Sequence, residues 1–249
     1  MPDWAGEYFE RGYAQRWGLL PVTDSIRRDA SGLWDRLRLR SGARVLDLGC
    51  GHGRYGLAFA ERGADVAGVD SATTLLLQAK RFASEGGLPA RWVRGDMRRV
   101  PLRSESCDAV VLMDAFGFFD ADPENEQVLA GAARVLLPGG RVALKVVNGP
   151  PILAGFRHAD REERDGVVVT ISRTLSPEPA RMIEQVSVSG SRGSGQYERR
   201  QRLYRADDVS AAATRAGLVP LDMLADANGA PFEPATSPTM WVILERTHA

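Results

Sequence analysis

Five residues, Gly49-Cys50-Gly51-His52-Gly53, separate the apolar run Arg44–Leu48 from the amphipathic segment 54–62. Glycine at alternate positions lets backbone approach a ligand closely, and a helix starting there offers oriented N–H groups to a polar one. Taken alone, such a turn serves packing as readily as binding. Its companions are carboxylates. Asp70 ends the run ADVAGVD, Asp96 ends the next in RGDM, and Asp47 sits inside an otherwise apolar stretch. An acid in the position of Asp70 accepts hydrogen bonds from both hydroxyls of a ribose laid across strand tips. Asp96 would then meet an adenine amino group, and Met97 would offer the ring a soft apolar face. Strand-end aspartates also cap turns, but three at successive strand ends point to a nucleoside-type ligand.

The elements that must carry these residues alternate. Strands are expected at 44–48, 65–69, 91–94, 108–113 and 141–147, and helices at 54–62, 72–84 and from about Pro123 to Leu136, capped by Asp120 or Asp122. Gly63, Gly86-Gly87 and Pro138-Gly139-Gly140 punctuate them. Continuous apolar strands between helices predict a parallel sheet covered on both faces, a doubly wound α/β core. Upstream, Asp24 is placed to cap a helix over 25–38, and Trp4, Tyr8, Phe9, Tyr13 and Trp17 form an aromatic stripe on helical spacing, interrupted by Gly6 and Gly12. Past Pro150-Pro151, β-branched or alternating runs at 167–174, 182–189 and 197–204 predict a three-stranded antiparallel meander. A helix from Asp207 and strands at 218–224 and 239–245 close the chain.

Lys+Arg and Asp+Glu balance at 32 each in 249 residues, so no global field favours nucleic acid or an anionic membrane surface. Lys80 and Lys145 are the only lysines, a chain-wide bias that GC-rich codon usage explains more simply than a demand for bidentate anion contacts. Cys50 and Cys107 read as buried reduced thiols, with no second Cys or His at metal spacing. The early acids and the lack of any apolar run near roughly 18 residues predict a soluble, cytoplasmic protein.

VLDLGCGHGR, VAGVD, RGDM and LLPGGRVAL resemble, in order, the motifs of class I S-adenosylmethionine-dependent methyltransferases, over about 41–147 and again in the C-terminal helix and two strands. MDAFGFF, 113–119, is similar to the FGYF-type segment of a small-molecule-acting subgroup. The resemblance implies a Rossmann-like, seven-stranded sheet whose last strand inserts antiparallel. It implies that the Gly49–Gly51–Gly53 backbone and Asp47 hold the methionine part of S-adenosylmethionine, that Asp70 grips the ribose, that Asp96 and Met97 flank the adenine, and that Met113 lies near the sulfonium. Cys50 and Ser71 complete the expected cofactor contacts. Three parts follow: an N-terminal helical lid, 1–40; a cofactor-binding core, 41–148 and 205–249; and the insertion 149–204, a substrate cover or a homodimer element.

Methyl transfer from a sulfonium is an in-line displacement that orientation and water exclusion promote, so no catalytic triad is required. An amine acceptor reacts as its free base, whereas a hydroxyl needs a general base. Of the three histidines, His158 in FRHADREER is a candidate base or a solvated residue, His52 in the glycine turn a bystander, and His248 part of a frayed end. Asp114 positions a substrate amine or simply finishes its strand. Tyr8, Tyr13 and Trp17 close over the cofactor or dock as a stripe, Tyr13 being the candidate nearest the chemistry. Arg54 pairs with the cofactor carboxylate or caps its helix. The balance favours N-methylation of a small amine, an amino sugar among the candidates, in specialised metabolism such as antibiotic biosynthesis. O-methylation, a non-catalytic S-adenosylmethionine-binding protein and a dinucleotide oxidoreductase are the alternatives; the glycine spacing and Asp47 disfavour the last.

Overall fold

The computed structural model describes residues 3–247. The chain opens with α1 (Asp3–Glu7), a π-helical turn (Tyr8–Gly12) and α2 (Tyr13–Trp17), followed by α3 (Asp24–Arg36). The alternating core is β1 (Arg44–Leu48), α4 (Arg54–Glu61), β2 (Asp65–Asp70), α5 (Thr73–Glu85), β3 (Ala90–Arg94), β4 (Cys107–Met113), α6 (Asp122–Val135) and β5 (Leu136–Val147). Then come α7 (Gly149–Ala154), β6 (Ala159–Arg164), β7 (Val167–Ser176), β8 (Arg181–Gly190), β9 (Gly195–Arg202), α8 (Ala206–Arg215), β10 (Leu218–Leu224) and β11 (Thr239–Arg246).

Strand alternation sorts the core into two layers. Leu46, Leu48, Val110, Leu112, Val142 and Leu144 face α6 and α8, while Val45, Ala109, Val111 and Ala143 face α3, α4 and α5. The sheet runs β10-β11-β5-β4-β1-β2-β3, parallel except for β11, which lies antiparallel to both β5 and β10. This is the expected Rossmann-like seven-stranded sheet. Ligands of such sheets bind beyond the carboxyl ends of the strands, where Asp47, Asp70 and Met113 stand.

Several boundaries differ from the sequence reading. Thr23, not Asp24, caps α3, its hydroxyl accepting from the Ile26 N–H at 3.4 Å. α6 begins after Ala121, and Glu124 returns to the Ala121 N–H at 3.3 Å; Asp122 turns outward to Arg181 and Arg202. The insertion has four strands, β6-β7-β8-β9, because ADREER pairs along β7. Gly12, a weak helix former, sits where an added Cβ would lie 2.7 Å from the Tyr197 ring, so the N-terminal helix packs directly on β9. Tyr8 and Tyr197 share a small core with Val167, Val169, Ile171, Val186 and Val188.

Candidate active site

A cavity of about 590 Å³ lies over the ends of β1, β2, β4 and β5, roofed by the N-terminal helix and the inner face of β8 and β9. Its base is the glycine turn. Gly49 has φ +72°, and a Cβ there would lie 2.5 Å from that of Ala115; a Cβ on Gly53 would lie 2.6 Å from Trp92. Both positions are therefore closed by protein rather than by a ligand. Gly51 differs: at φ +54°, its nearest neighbour would be Leu75 Cδ1 at 3.8 Å, and both residues border the cavity.

Two carboxylates hold the turn. Asp47, 2% exposed, accepts the Gly56 N–H at 2.8 Å and so caps α4, whose own N-cap, Gly53, has no side chain to do it. Burial pushes Asp47 up to about 7. Asp70 accepts from the N–H groups of Gly51 and Ala72, each at 2.8 Å, and burial raises it above the usual range despite those bonds. Among the described residues neither acid is ion-paired. Both border the cavity, which suits a cationic ligand, since a positive charge there offsets the cost of ionising them.

Asp114 is arranged differently. It adopts φ +58° just past β4 and is clamped by Arg54 Nη2 at 2.9 Å and Lys145 Nζ at 3.0 Å, so Arg54 is engaged with Asp114 in this structure. Met113, Asp114 and Lys145 all face the cavity, as do Cys50, Ser71, Arg54 and Met97. Asp96 does not. It caps the short turn after β3 by accepting from the Arg98 N–H at 2.9 Å and grips the Arg98 guanidinium at 2.5 Å, which holds it below the ordinary carboxylate range. Arg98 in turn reaches Glu124, an ion-pair chain that accounts for Asp96 without a ligand.

The histidines separate cleanly. His158 is exposed just before β6, edge-on to Phe156 at 5.0 Å, and takes no part in the cavity wall, so the fold does not deliver it as a base. His52 lines the cavity but is 5% exposed, with Nε2 3.1 Å from the Leu20 carbonyl. Burial, with Arg54 nearby, pushes it down to about 4, so it stands neutral at physiological pH. His248 lies outside the described residues.

Tyr8, Tyr13 and Trp17 all reach the cavity. Tyr8 is 1% exposed, whereas Trp17 is 50% exposed at the rim. Tyr13 stands 6.1 Å from the His52 ring, and burial raises its phenol above the ordinary value, which suits a neutral hydrogen-bonding group better than a base. Glu10 fastens this helix to the core. Its carboxylate accepts from the N–H groups of Thr73 at 2.6 Å and Thr74 at 3.0 Å and from the Thr74 hydroxyl at 2.8 Å, capping α5, whose N-cap Ala72 has no polar side chain.

The sequence reading did not include Arg16, Glu184, Arg199 and Gln201, which complete the roof. The signal was present: Glu184 falls in phase with inward-facing Met182, Val186 and Val188, and Arg199 and Gln201 in phase with Tyr197. A charged residue at an inward position of an alternating strand marks either a buried ion pair or a pocket.

Residues 45–140 match the family model described as a methyltransferase domain. A Talaromyces variabilis protein named S-adenosyl-L-methionine-dependent Diels-Alderase iccD is 37% identical over 140 residues, 54% of this chain and 47% of that protein. The chain spans about half the length of the curated relatives it matches. Among solved structures, the CcbJ methyltransferase from Streptomyces caelestis superposes with a TM-score of 0.82 at 19% identity, covering 97% of this chain and 98% of that one. The S-adenosylmethionine-bound amino pentose methyltransferase CalS10 from Micromonospora echinaspora gives 0.65 at 24% identity, with 95% of both chains covered.

Proposed function

We propose that this chain, whose residues 45–140 match a methyltransferase domain, uses S-adenosylmethionine to methylate a small amine. The observation that carries the cofactor half is the unpaired state of Asp47 and Asp70 beside the open face of Gly51, a negative seat for the ammonium and sulfonium charges of S-adenosylmethionine. Bound there, the cofactor supplies an electrophilic methyl group whose transfer turns the sulfonium into a neutral thioether. Asp47 and the turn backbone face its methionine end, and Leu75 and Met97 offer apolar surface to the adenosine. Asp70 serves the ribose only by sharing an oxygen already bonded to Gly51 or Ala72.

The preference for nitrogen follows from the titratable groups left at the cavity once Asp47 and Asp70 are taken by the cofactor. His52 is held neutral at about 4, Tyr13 and Tyr55 are raised above the ordinary phenol value, and the Asp114 and Glu184 carboxylates are clamped by cations. Such a site positions an acceptor and excludes water better than it removes a hydroxyl proton, and an amine lone pair needs no base once the free amine is bound. Asp114 orients the amine by accepting an N–H, and the proton released after attack goes to solvent. On this reading the insertion is the acceptor's cover rather than a dimer surface, and a cavity of about 590 Å³ suits a small acceptor. Among the described residues no helix is long and apolar enough to cross a membrane.

Radiolabel transfer from S-adenosylmethionine to a panel of small amines, amino sugars and matched alcohols tests the proposal. Labelled amines are expected; label on alcohols alone refutes the nitrogen preference. The Diels-Alderase name of the 37% identical relative favours a second reading, in which the cofactor is bound and no methyl leaves it. Tight adenosylhomocysteine binding with no labelled product across the panel would select that reading.

A further inference from the structure

The charges around the cavity are not evenly distributed. Asp47 and Asp70 make the glycine-turn end acidic, whereas the roof carries Arg16 and Arg199 against a single carboxylate, Glu184. Glu184 is 3% exposed and already saturated, bonded to Arg173 at 2.8 Å and to Arg199 at 2.7 Å. Arg199 also bonds Gln201 and lies over the Phe118 ring at 5.1 Å, so its guanidinium is fixed in place.

Arg16 is the side chain left without a full complement. It is 7% exposed and lies against the Trp17 ring at 4.4 Å. Its nearest carboxylates, Glu162 and Glu184, stand at 3.5 and 3.9 Å, long for charge-assisted hydrogen bonds, and its buried Nε has no hydrogen-bond partner. A guanidinium carries five donors in a planar fork, and burying it with so few engaged is costly unless something else takes them. A carboxylate or phosphate matches that fork bidentately.

We propose that Arg16, backed by Arg199, binds an anionic group of the methyl acceptor, so that the acceptor is a small amine carrying a carboxylate or phosphate. This rests on the reading of the cavity as a methyl-transfer site. The acceptor then spans the cavity with its amine toward Asp114 and its anion under the roof, and the two ends fix its register against the cofactor. Arg16 acts as a specificity-determining residue in binding and takes no part in the proton's removal.

The test uses matched carboxylate and carboxamide pairs of small amines, titrated into the adenosylhomocysteine-loaded protein by ligand-observed NMR. Across the set, the carboxylate members are expected to bind about tenfold tighter, the scale of one charge-assisted hydrogen bond. Arg16→Gln should erase most of that preference and Arg16→Lys should keep part of it, both retaining the protein's affinity for adenosylhomocysteine. No carboxylate preference in the unaltered protein, or a preference that survives Arg16→Gln, overturns the proposal. So does a tenfold loss of adenosylhomocysteine affinity in Arg16→Gln, which would assign the guanidinium to the cofactor's own carboxylate. Failure of the unaltered protein to bind adenosylhomocysteine at all would instead refute the methyl-transfer reading beneath it.

Discussion

Replacing Glu10 by alanine removes the only side chain among the described residues that caps the Thr73 and Thr74 N–H groups of α5 and, with it, the polar fastening of the N-terminal helix over the cavity. Three hydrogen bonds disappear, from the Thr73 and Thr74 N–H groups and the Thr74 hydroxyl, at 2.6 to 3.0 Å. A lost N-cap costs about 0.5–2 kcal/mol. The carboxylate is partly exposed, so solvent replaces some of what is lost, and about 1–1.5 kcal/mol is the working figure. On the proposal that residues 3–17 form a lid over the cavity, most of that cost falls on its closed arrangement, raising the open fraction about 5- to 13-fold. Adenosylhomocysteine dissociation, followed by stopped-flow tryptophan fluorescence, is expected to accelerate by that factor, with only a small fall in Tm. Partial burial raises Glu10, but the bonds from Thr74 and Thr73 outweigh it and hold the acid below its ordinary value of 4.5. The latch is therefore complete above pH 4.5 and weakens as pH falls below it. An unchanged dissociation rate in Glu10→Ala would show that apolar packing alone keeps the lid shut and would refute this reasoning.

Other outcomes follow from the same geometry. Asp47 is raised from 3.8 to about 7, so its ionisation costs stability as pH rises through that interval; Asp47→Asn should be more stable than the parent at pH 8 without cofactor, the gain vanishing below pH 4, and should bind adenosylhomocysteine at least about tenfold more weakly. His52 is lowered from 6.5 to about 4, so its folded-state stabilisation is complete above pH 6.5 and is lost as pH falls toward 4, a change of about 3 kcal/mol; denaturant titrations of parent and His52→Gln across that range should diverge by this amount. Gly49→Ala should unfold the turn, because its Cβ would meet Ala115 at 2.5 Å, whereas Gly51→Ala should fold with a penalty of about 1 kcal/mol and lose cofactor affinity, as calorimetry would show. His158→Ala, far from the cavity wall, should leave label transfer unaltered.

The sheet was legible because its central strands are largely apolar on both faces and its turns are marked by glycine and proline, so local composition carried the message. β6 was not. ADREER alternates only between exposed and half-exposed positions, and nothing in its residues reveals that β7 lies beside it. The glycine turn and its acids were visible as a set, but their division of labour was not: Asp96 is committed to Arg98, Asp70 to backbone, and only partner geometry distinguishes those uses. The roof was hardest to read, since Glu184 and Arg199 enter the site through a pairing of residues 8–17 with residues 181–202, far apart in the chain.

That pairing has a consequence for exchanging specificity between relatives. Tyr8 and Gly12 pack on Tyr197, Gln15 accepts the Tyr197 hydroxyl at 2.7 Å, and Arg192 holds the Gln15 and Arg16 carbonyls at 3.1 and 3.2 Å. The first helix and the inserted sheet thus form one transplantable unit, though residues 18–158 lie between them in the sequence. A chimera that grafts only the insertion would inherit a roof with no helix to seat on. If the roof selects the acceptor as proposed, recombination, natural or engineered, has to move both segments together to move that choice.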